Sequence, residues 1–241
     1  MDVLAFVKTD IGLVREVNED HYAFEPPELL VVADGMGGHV AGEIASQLAI
    51  STIVEYLRQP FAANKTQQEL EKALHLANEK IYERSQQGRQ YLGMGTTVTA
   101  CYILGQKIYW AHVGDSRMYL MQQGLLRQVT EDHSLVGELL RQGSITKAEA
   151  DVHPQRNILT RAVGTSSKIL VDSGCAQWEP SDYLLLCTDG LTGLVSETAI
   201  AQMISTESIS QNTVDSLVQA ALTAGGYDNV TVILAQNEGE S

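Results

Sequence analysis

The sequence predicts an α+β layered domain built on antiparallel sheets, and three features predict it. Short apolar or alternating runs bounded by Gly, Asp or Asn recur along the chain. Between them lie longer stretches with apolar residues at helical spacing. Strands come in groups and helices in pairs, which argues against the steady alternation of a doubly wound parallel sheet.

The strand-like runs are Leu29 to Ala33, Thr96 to Leu104, Lys107 to Val113, Arg117 to Met121, Tyr183 to Cys187 and Val230 to Ala235. Val40 to Leu57 reads as a helix through Ile44, Leu48, Ile50, Ile53, Val54 and Leu57. Glu69 to Ser85 does so through Leu70, Leu74, Ala77 and Ile81, and Asn212 to Ala224 ends before Gly225-Gly226. Ser134 to Arg156 is polar and helical only in short pieces, so it reads as a small surface insertion or lid. No repeat or linker interrupts residues 1–236, which are expected to form one domain, and Asn237 to Ser241 reads as a polar tail.

The 241 residues suit one large domain, and 44% hydrophobic content is enough for a sizeable core. Thirty acidic against sixteen basic residues give a net charge of −14, which disfavours nucleic acid and anionic lipid as partners. Any handling of phosphate would then need bound cations to supply positive charge. Cys101, Cys175 and Cys187 are odd in number and form no CxxC pair, which disfavours a disulfide framework or a zinc site. Met1-Asp2-Val3 lacks the basic and apolar start of a signal peptide, and no run approaches a membrane span, so a cytoplasmic protein is expected.

The most informative pattern is an aspartate at the end of an apolar strand, met at distant points. Leu29 to Ala33 runs into Asp34-Gly35, Ile108 to Gly114 into Asp115, and Tyr183 to Thr188 into Asp189-Gly190, while Asp228-Asn229 precedes Val230 to Leu234. Taken singly, each Asp-Gly reads as a turn, because Gly tolerates positive φ and Asp bonds its own backbone. Taken together, converging strand ends would crowd carboxylates that must bind cations or protonate. Oxygen ligands without His or Cys favour Mg²⁺, Mn²⁺ or Ca²⁺ over Zn²⁺, and two such ions can activate water for in-line phosphoryl displacement.

Thr9-Asp10-Ile11-Gly12-Leu13-Val14-Arg15-Glu16-Val17-Asn18-Glu19-Asp20 resembles the opening motif of the type 2C metal-dependent protein phosphatases in their bacterial single-domain form. The resemblance continues through Val31 to His39, Gly95-Thr96-Thr97, Ala111 to Arg117 and Thr130 to Ser134. It ends with Leu159 to Gly164, Leu185 to Leu191 and Gly225 to Thr231. These motifs stand in the family's order and cover nearly the whole chain.

The resemblance implies a four-layer α/β/β/α sandwich, two central antiparallel sheets flanked by helices, with residues 134–156 as a flap. It implies that Asp34 bridges two Mg²⁺ or Mn²⁺ ions, that the Gly35 carbonyl is a ligand, and that Asp189 and Asp228 complete the ligands of the first ion. Glu19 and Asp20 match acidic positions acting near the metals, some through water. Asp115 and Asp189 match the ligands of a third, weaker ion, and Arg15 matches the arginine that holds substrate phosphate. The implied reaction is hydrolysis of phosphoserine and phosphothreonine by direct attack of a metal-bridging hydroxide, by a monomer acting on phosphoproteins that Ser/Thr kinases produce.

The residues agree with that chemistry. Arg offers a planar fork for two phosphate oxygens, the alternative for Arg15 being a weak surface pair with Glu16 or Glu19. No cysteine begins a Cys-x5-Arg cradle. His39 is balanced between a proton-shuttling role and a local cap. Met36 stands where eukaryotic relatives carry a histidine proposed as general acid, so that role does not transfer. His112 and Arg161 read as structural, and Asp132-His133-Ser134 as a helix start. A nucleotide-binding loop is disfavoured because Gly35, Gly37 and Val40 break the G-x-G-x-x-G spacing. The remaining rival is a catalytically weak phosphatase-like module that binds phosphoproteins.

Overall fold

The computed structural model describes residues 2–26, 28–37, 40–204 and 209–239. The chain opens with β1 (Asp2–Asp10), β2 (Asp20–Glu25) and β3 (Leu29–Met36), then the helices α1 (Val40–Leu57) and α2 (Thr66–Ser85). There follow β4 (Gly95–Thr96), β5 (Val98–Leu104), β6 (Lys107–Val113), β7 (Arg117–Gln122) and β8 (Leu125–Gln128). The last part holds α3 (Leu135–Arg141), α4 (Lys147–Asp151), β9 (Asp172–Gln177), β10 (Tyr183–Cys187), α5 (Asp189–Thr192), α6 (Glu197–Ile204), α7 (Gln211–Thr223) and β11 (Val230–Gly239).

The strands form two antiparallel sheets. One has the order β1-β11-β10-β7-β8 and the other β2-β3-β5-β6-β9, with β4 paired to β3. Side chains alternate across each strand, so a strand with both faces covered reads as a continuous apolar run. In β3, Leu30 and Val32 face the layer between the sheets, while Leu29, Val31 and Ala33 face α1 and α2. In β10, Leu184 and Leu186 face the same inner layer, while Leu185 and Cys187 meet α6 and α7. Trp178 is the largest fully buried side chain and fills the inner layer, its indole N–H donating to the Gly105 carbonyl at 3.3 Å. Three apolar layers between four structural layers make the α/β/β/α sandwich, as the sequence led us to expect.

Several elements differ from the sequence reading. β1, β2 and β9 were not anticipated as strands: DHYAFE and DSGCAQ carry too few apolar residues to show a pattern. β2 and β9 form because β3 and β6 offer open edges to pair with, Asp20 to Glu25 against β3 and Asp172 to Gln177 against β6, and β1 pairs with β11 in the other sheet. Asn237 to Gly239, expected in a polar tail, continue β11, pairing with β1, and Asn237 is fully buried. Helix α7 starts one residue before Asn212, the Thr213 hydroxyl accepting from the Ser210 N–H at 3.1 Å.

The segment after β8 holds α3 and α4 and is closed at its base by backbone bonds from Leu135 N to Ile158 O (2.8 Å) and Thr160 N to His133 O (2.8 Å). Ser134 caps α3 by accepting from the Gly137 N–H at 3.1 Å, and Thr146 with Glu149 forms a capping box on α4.

Leu30 is fully buried between the sheets. Leu30→Ala should lower stability by about 2–5 kcal/mol in urea denaturation. A loss under about 1 kcal/mol would contradict a close-packed inner layer.

Candidate metal centre

The site lies where the carboxyl end of β3 and the start of β2 meet the ends of β10 and β11. Antiparallel pairing sets Asp20 directly opposite Asp34. The other sheet contributes Thr188 at the end of β10 and Thr231 near the start of β11. Both hydroxyls donate to Asp20 Oδ2 at 2.8 Å, joining the two sheets through one buried carboxylate. Asp20 Oδ1 is buried without a protein partner, and so is Asp189 Oδ1.

The loop leading out of β3 is held from both sides. The Thr97 hydroxyl accepts from the Asp34 N–H at 2.9 Å, and the Thr96 hydroxyl donates to the Asp34 carbonyl at 2.8 Å. Gly35 N donates to Glu19 O at 3.0 Å. A Cβ on Gly35 would lie 2.2 Å from the Gly42 carbonyl, and one on Gly190 1.9 Å from that of Asn229. Neither Gly35 nor Gly190 has a positive φ. The Asp-Gly pairs therefore serve close backbone approach, and the turn explanation does not apply to them. Glu19 also faces this corner, its Oε2 lying 2.4 Å from where a Cβ on Gly42 would sit.

Charge crowding is the main electrostatic property. Asp34, Asp115 and Asp189 keep part of their surface open to solvent but are set deep in a crevice. Burial and then the charges of Asp20, Asp189, Asp115 and Asp228 push the Asp34 carboxyl well above the usual carboxylate range. Burial and Asp189 do the same to Asp115, and burial and Asp228 raise Asp189, against a hydrogen-bonding contact with Asp34. Burial lifts Asp20 to about 7 despite its two hydroxyl donors. Two cations border the cluster. Arg15 donates to Asp228 Oδ2 at 2.7 Å, a partner different from the Glu16 or Glu19 that sequence offered, and this contact raises its pKa. Arg117 is gripped by both oxygens of Asp132, which holds its charge despite burial.

His112 and His133 lie against each other, ring centroids 4.8 Å apart, beside the backbone that leads to Asp115. The Gly114 N–H donates to His133 Nδ1 at 3.1 Å, which leaves Nε2 as the donor to Asp172 Oδ2 at 3.0 Å. Arg161 donates to the other Asp172 oxygen at 2.8 Å. His112 bonds the Thr99 hydroxyl and the Glu131 carbonyl, and burial lowers its pKa to about 4, so it is neutral. Sequence reasoning gave no role to Thr97, Thr188 or Thr231; Thr188 ends the apolar run of β10 and Thr231 interrupts that of β11, a signal that could have found those two, while Thr97 sits beside Thr96 ahead of β5 with no such mark. His39 lies outside the described residues.

The donor set fits a hard divalent cation. Crowded carboxylates, two orphaned buried oxygens and a backbone carbonyl are oxygen ligands without sulfur or imidazole. Among the described residues no three His, Cys, Asp or Glu side chains close into a ready-made cage. Asp115 and Asp189 also line a cleft of about 470 Å³ that runs beneath α3 and α4 past Lys147 and Arg156. A second recess of about 400 Å³, beside Glu25, Arg58 and Phe61, lies at the far end of the second sheet, away from the carboxylates.

A carboxylate-lined crevice at the end of a four-layer sandwich defines a class of metal-dependent hydrolases, and comparison with known proteins narrows it. Residues 15–225 match the model of the family described as protein phosphatase 2C. The serine/threonine phosphatase stp of Listeria monocytogenes is 40% identical over 238 residues, covering 96% of this chain and 94% of that protein. The crystal structure of the Mycobacterium tuberculosis serine/threonine phosphatase PstP/Ppp superposes with a TM-score of 0.92 at 36% identity, covering 98% of this chain and 99% of that one. The catalytic domain of a PstP solved with two manganese ions superposes at 0.88 with 34% identity, covering 97% of each chain. The chain belongs to the protein phosphatase 2C family.

The carboxylates set a pH dependence. A carboxyl raised above its unfolded value of about 3.9 binds extra protons when folded. Its contribution to stability is therefore lost as pH rises through the folded value, about 7 for Asp20. Cations held by the same oxygens offset that loss. The rise in melting temperature on replacing EDTA with Mn²⁺ should grow between about pH 5 and pH 8 in thermal unfolding scans. A rise that is absent, or equal at both ends, would exclude this cluster as the metal centre.

Proposed function

We propose that the cluster around Asp34 is a two-metal phosphatase centre acting on phosphoserine and phosphothreonine in proteins. Family membership makes the chain a metal-dependent protein serine/threonine phosphatase. The observation that supports this use of the cluster is the convergence of Asp20, Asp34, Asp115 and Asp189, with two buried carboxylate oxygens left without a protein partner and all four carboxyls raised by burial and by neighbouring carboxylates.

Asp34, the Gly35 carbonyl, Asp189 and Asp228 would hold two ions in this reading. Asp20 and Glu19 act from behind, orienting water. Asp115 with Asp189 forms a third, weaker position. Bound Mg²⁺ or Mn²⁺ supplies the Lewis acidity that lets water attack phosphorus near neutral pH. Arg15 is half-exposed and lies on Asp228, so its fork can turn to phosphate oxygens when cations neutralise that carboxylate. Arg117 fixes Asp132 and places a positive charge behind Asp115 and Asp189, easing their ionisation. Ser/Thr kinases are the enzymes whose products such a phosphatase reverses, and the cytoplasm is the compartment we assign. No helix among the described residues is long and apolar enough to cross a membrane.

The test is hydrolysis of a phosphothreonine peptide with EDTA, Mg²⁺ or Mn²⁺. Turnover should require added metal. Asp34→Ala, Asp189→Ala and Asp228→Ala should each lower kcat by on the order of a thousandfold, and full activity in any of them would remove the two-metal assignment. Asp115→Ala should lower kcat less, with two ions still bound in a metal count. Arg15→Ala should raise KM. A change in kcat alone would show that Arg15 acts on the transition state and not in binding phosphate.

A further inference from the structure

Five large apolar side chains around Arg15 are exposed: Leu13 67%, Tyr227 63%, Val14 61%, Ile11 38% and Val17 36%. None belongs to the three core clusters. Single exposed apolar residues need no explanation, but a contiguous patch with a polar border marks an interaction surface.

The backbone that carries this patch is fixed. Asn229 Nδ2 donates to the carbonyls of Ile11 (2.9 Å) and Val17 (3.0 Å), while its Oδ1 accepts from Glu19 N at 2.8 Å. Leu13 N donates to Gly226 O at 2.7 Å. The Leu13 side chain lies against Gly226, where a Cβ would come within 2.9 Å of Leu13 Cγ, and the Tyr227 ring folds over Gly225. Leu13, the glycine pair and Tyr227 thus form one apolar ledge. Its next residue is Asp228, and Arg15 from the same connection bonds that carboxylate at 2.7 Å.

The ledge and the metal centre therefore share a wall. A polypeptide that presents a phosphate at Asp228 and Arg15 has its neighbouring residues within about 7 Å, at roughly 3.3–3.6 Å per residue. Leu13 and Tyr227, with the exposed Val14 next in the chain to Leu13, are the apolar surface within that reach. The net charge of −14 disfavours acidic neighbours, and the ledge offers apolar contact.

We propose that the ledge of Leu13, Val14 and Tyr227 receives an apolar side chain one or two positions from the phosphorylated residue. The enzyme then selects phosphoserine and phosphothreonine sites with an aliphatic or aromatic neighbour. The inference rests on the phosphatase assignment of the adjoining centre.

The experiment compares two phosphothreonine peptides that differ only in Leu or Gln beside the phosphorylated residue, with p-nitrophenyl phosphate as a substrate that has no neighbours, all in Mn²⁺. The Leu peptide should be favoured about tenfold in kcat/KM, the low end for apolar discrimination, mainly through KM. The Val14→Ser/Tyr227→Ser double variant, at two side chains more than half exposed, should lose that preference. Turnover of p-nitrophenyl phosphate with equal kcat/KM on both peptides would overturn the ledge and leave the phosphatase assignment standing. A preference that survives in the double variant, or a uniform fall in kcat on both peptides, would also overturn it. No turnover of any substrate would overturn the phosphatase assignment, and the ledge with it.

Discussion

Repulsion among carboxylates at one end of the sandwich governs how the surrounding structure is built. Burial first, and then neighbouring carboxylates, among them Asp189 and Asp228, push the carboxyls of Asp20, Asp34, Asp115 and Asp189 above their ordinary range. Such a cluster is stable only when cations or protons occupy it. The neighbourhood is accordingly rich in groups that restrain or compensate charge: the hydroxyls of Thr188 and Thr231 on Asp20, the guanidinium of Arg15 on Asp228 and that of Arg117 behind Asp115.

The sandwich supplies the rigidity this crowding demands. β2 and β3 bring Asp20 opposite Asp34 by strand register alone, and β10 and β11 bring Thr188 and Thr231 from the other sheet. Asp20 then ties the sheets at the site, as Trp178 and its neighbours tie them through the inner apolar layer. Close backbone contacts at Gly35 and Gly190 let β3 and α5 approach Gly42 and Asn229 more nearly than any side chain would permit. Asn229 holds the β1–β2 connection with three hydrogen bonds, so the wall carrying Arg15 and the apolar ledge is fixed to the strand that carries Asp228.

Legibility in the sequence followed burial. β3 and β10 have both faces covered, and their unbroken aliphatic runs show it, while β6 shows as an apolar and aromatic run bounded by Lys107 and Gly114. β2 and β9 pair at the sheet's edges with mixed side chains, and nothing in DHYAFE or DSGCAQ distinguishes them from loops. The end of β11 was missed because Gln236 and Asn237 are polar. They are buried through pairing with β1 and β10 and through contacts such as Ser181 N to Asn237 O at 2.7 Å. Asp132-His133-Ser134 was legible as a helix start through Ser134. That His133 also holds the Gly114 N–H, and so the backbone before Asp115, needed a partner nineteen residues away in the chain.

By itself the sequence determined which carboxylates stand at the ends of the legible strands: Asp34 and Asp189 before glycines after apolar runs, Asp115 after another, and Asp228 ahead of the last. That information is local, since strand and helix periodicity place a residue within its own element. Tertiary structure decided what depends on distances through space. It brought Asp20 and Asp34 from one sheet against Asp189 and Asp228 from the other, set Arg15 on Asp228, and gave Gly35 and Gly190 close approach in place of turns. Carboxylate repulsion and backbone contact both act over a few ångströms between segments some two hundred residues apart, and only the packing of the two sheets fixes those distances.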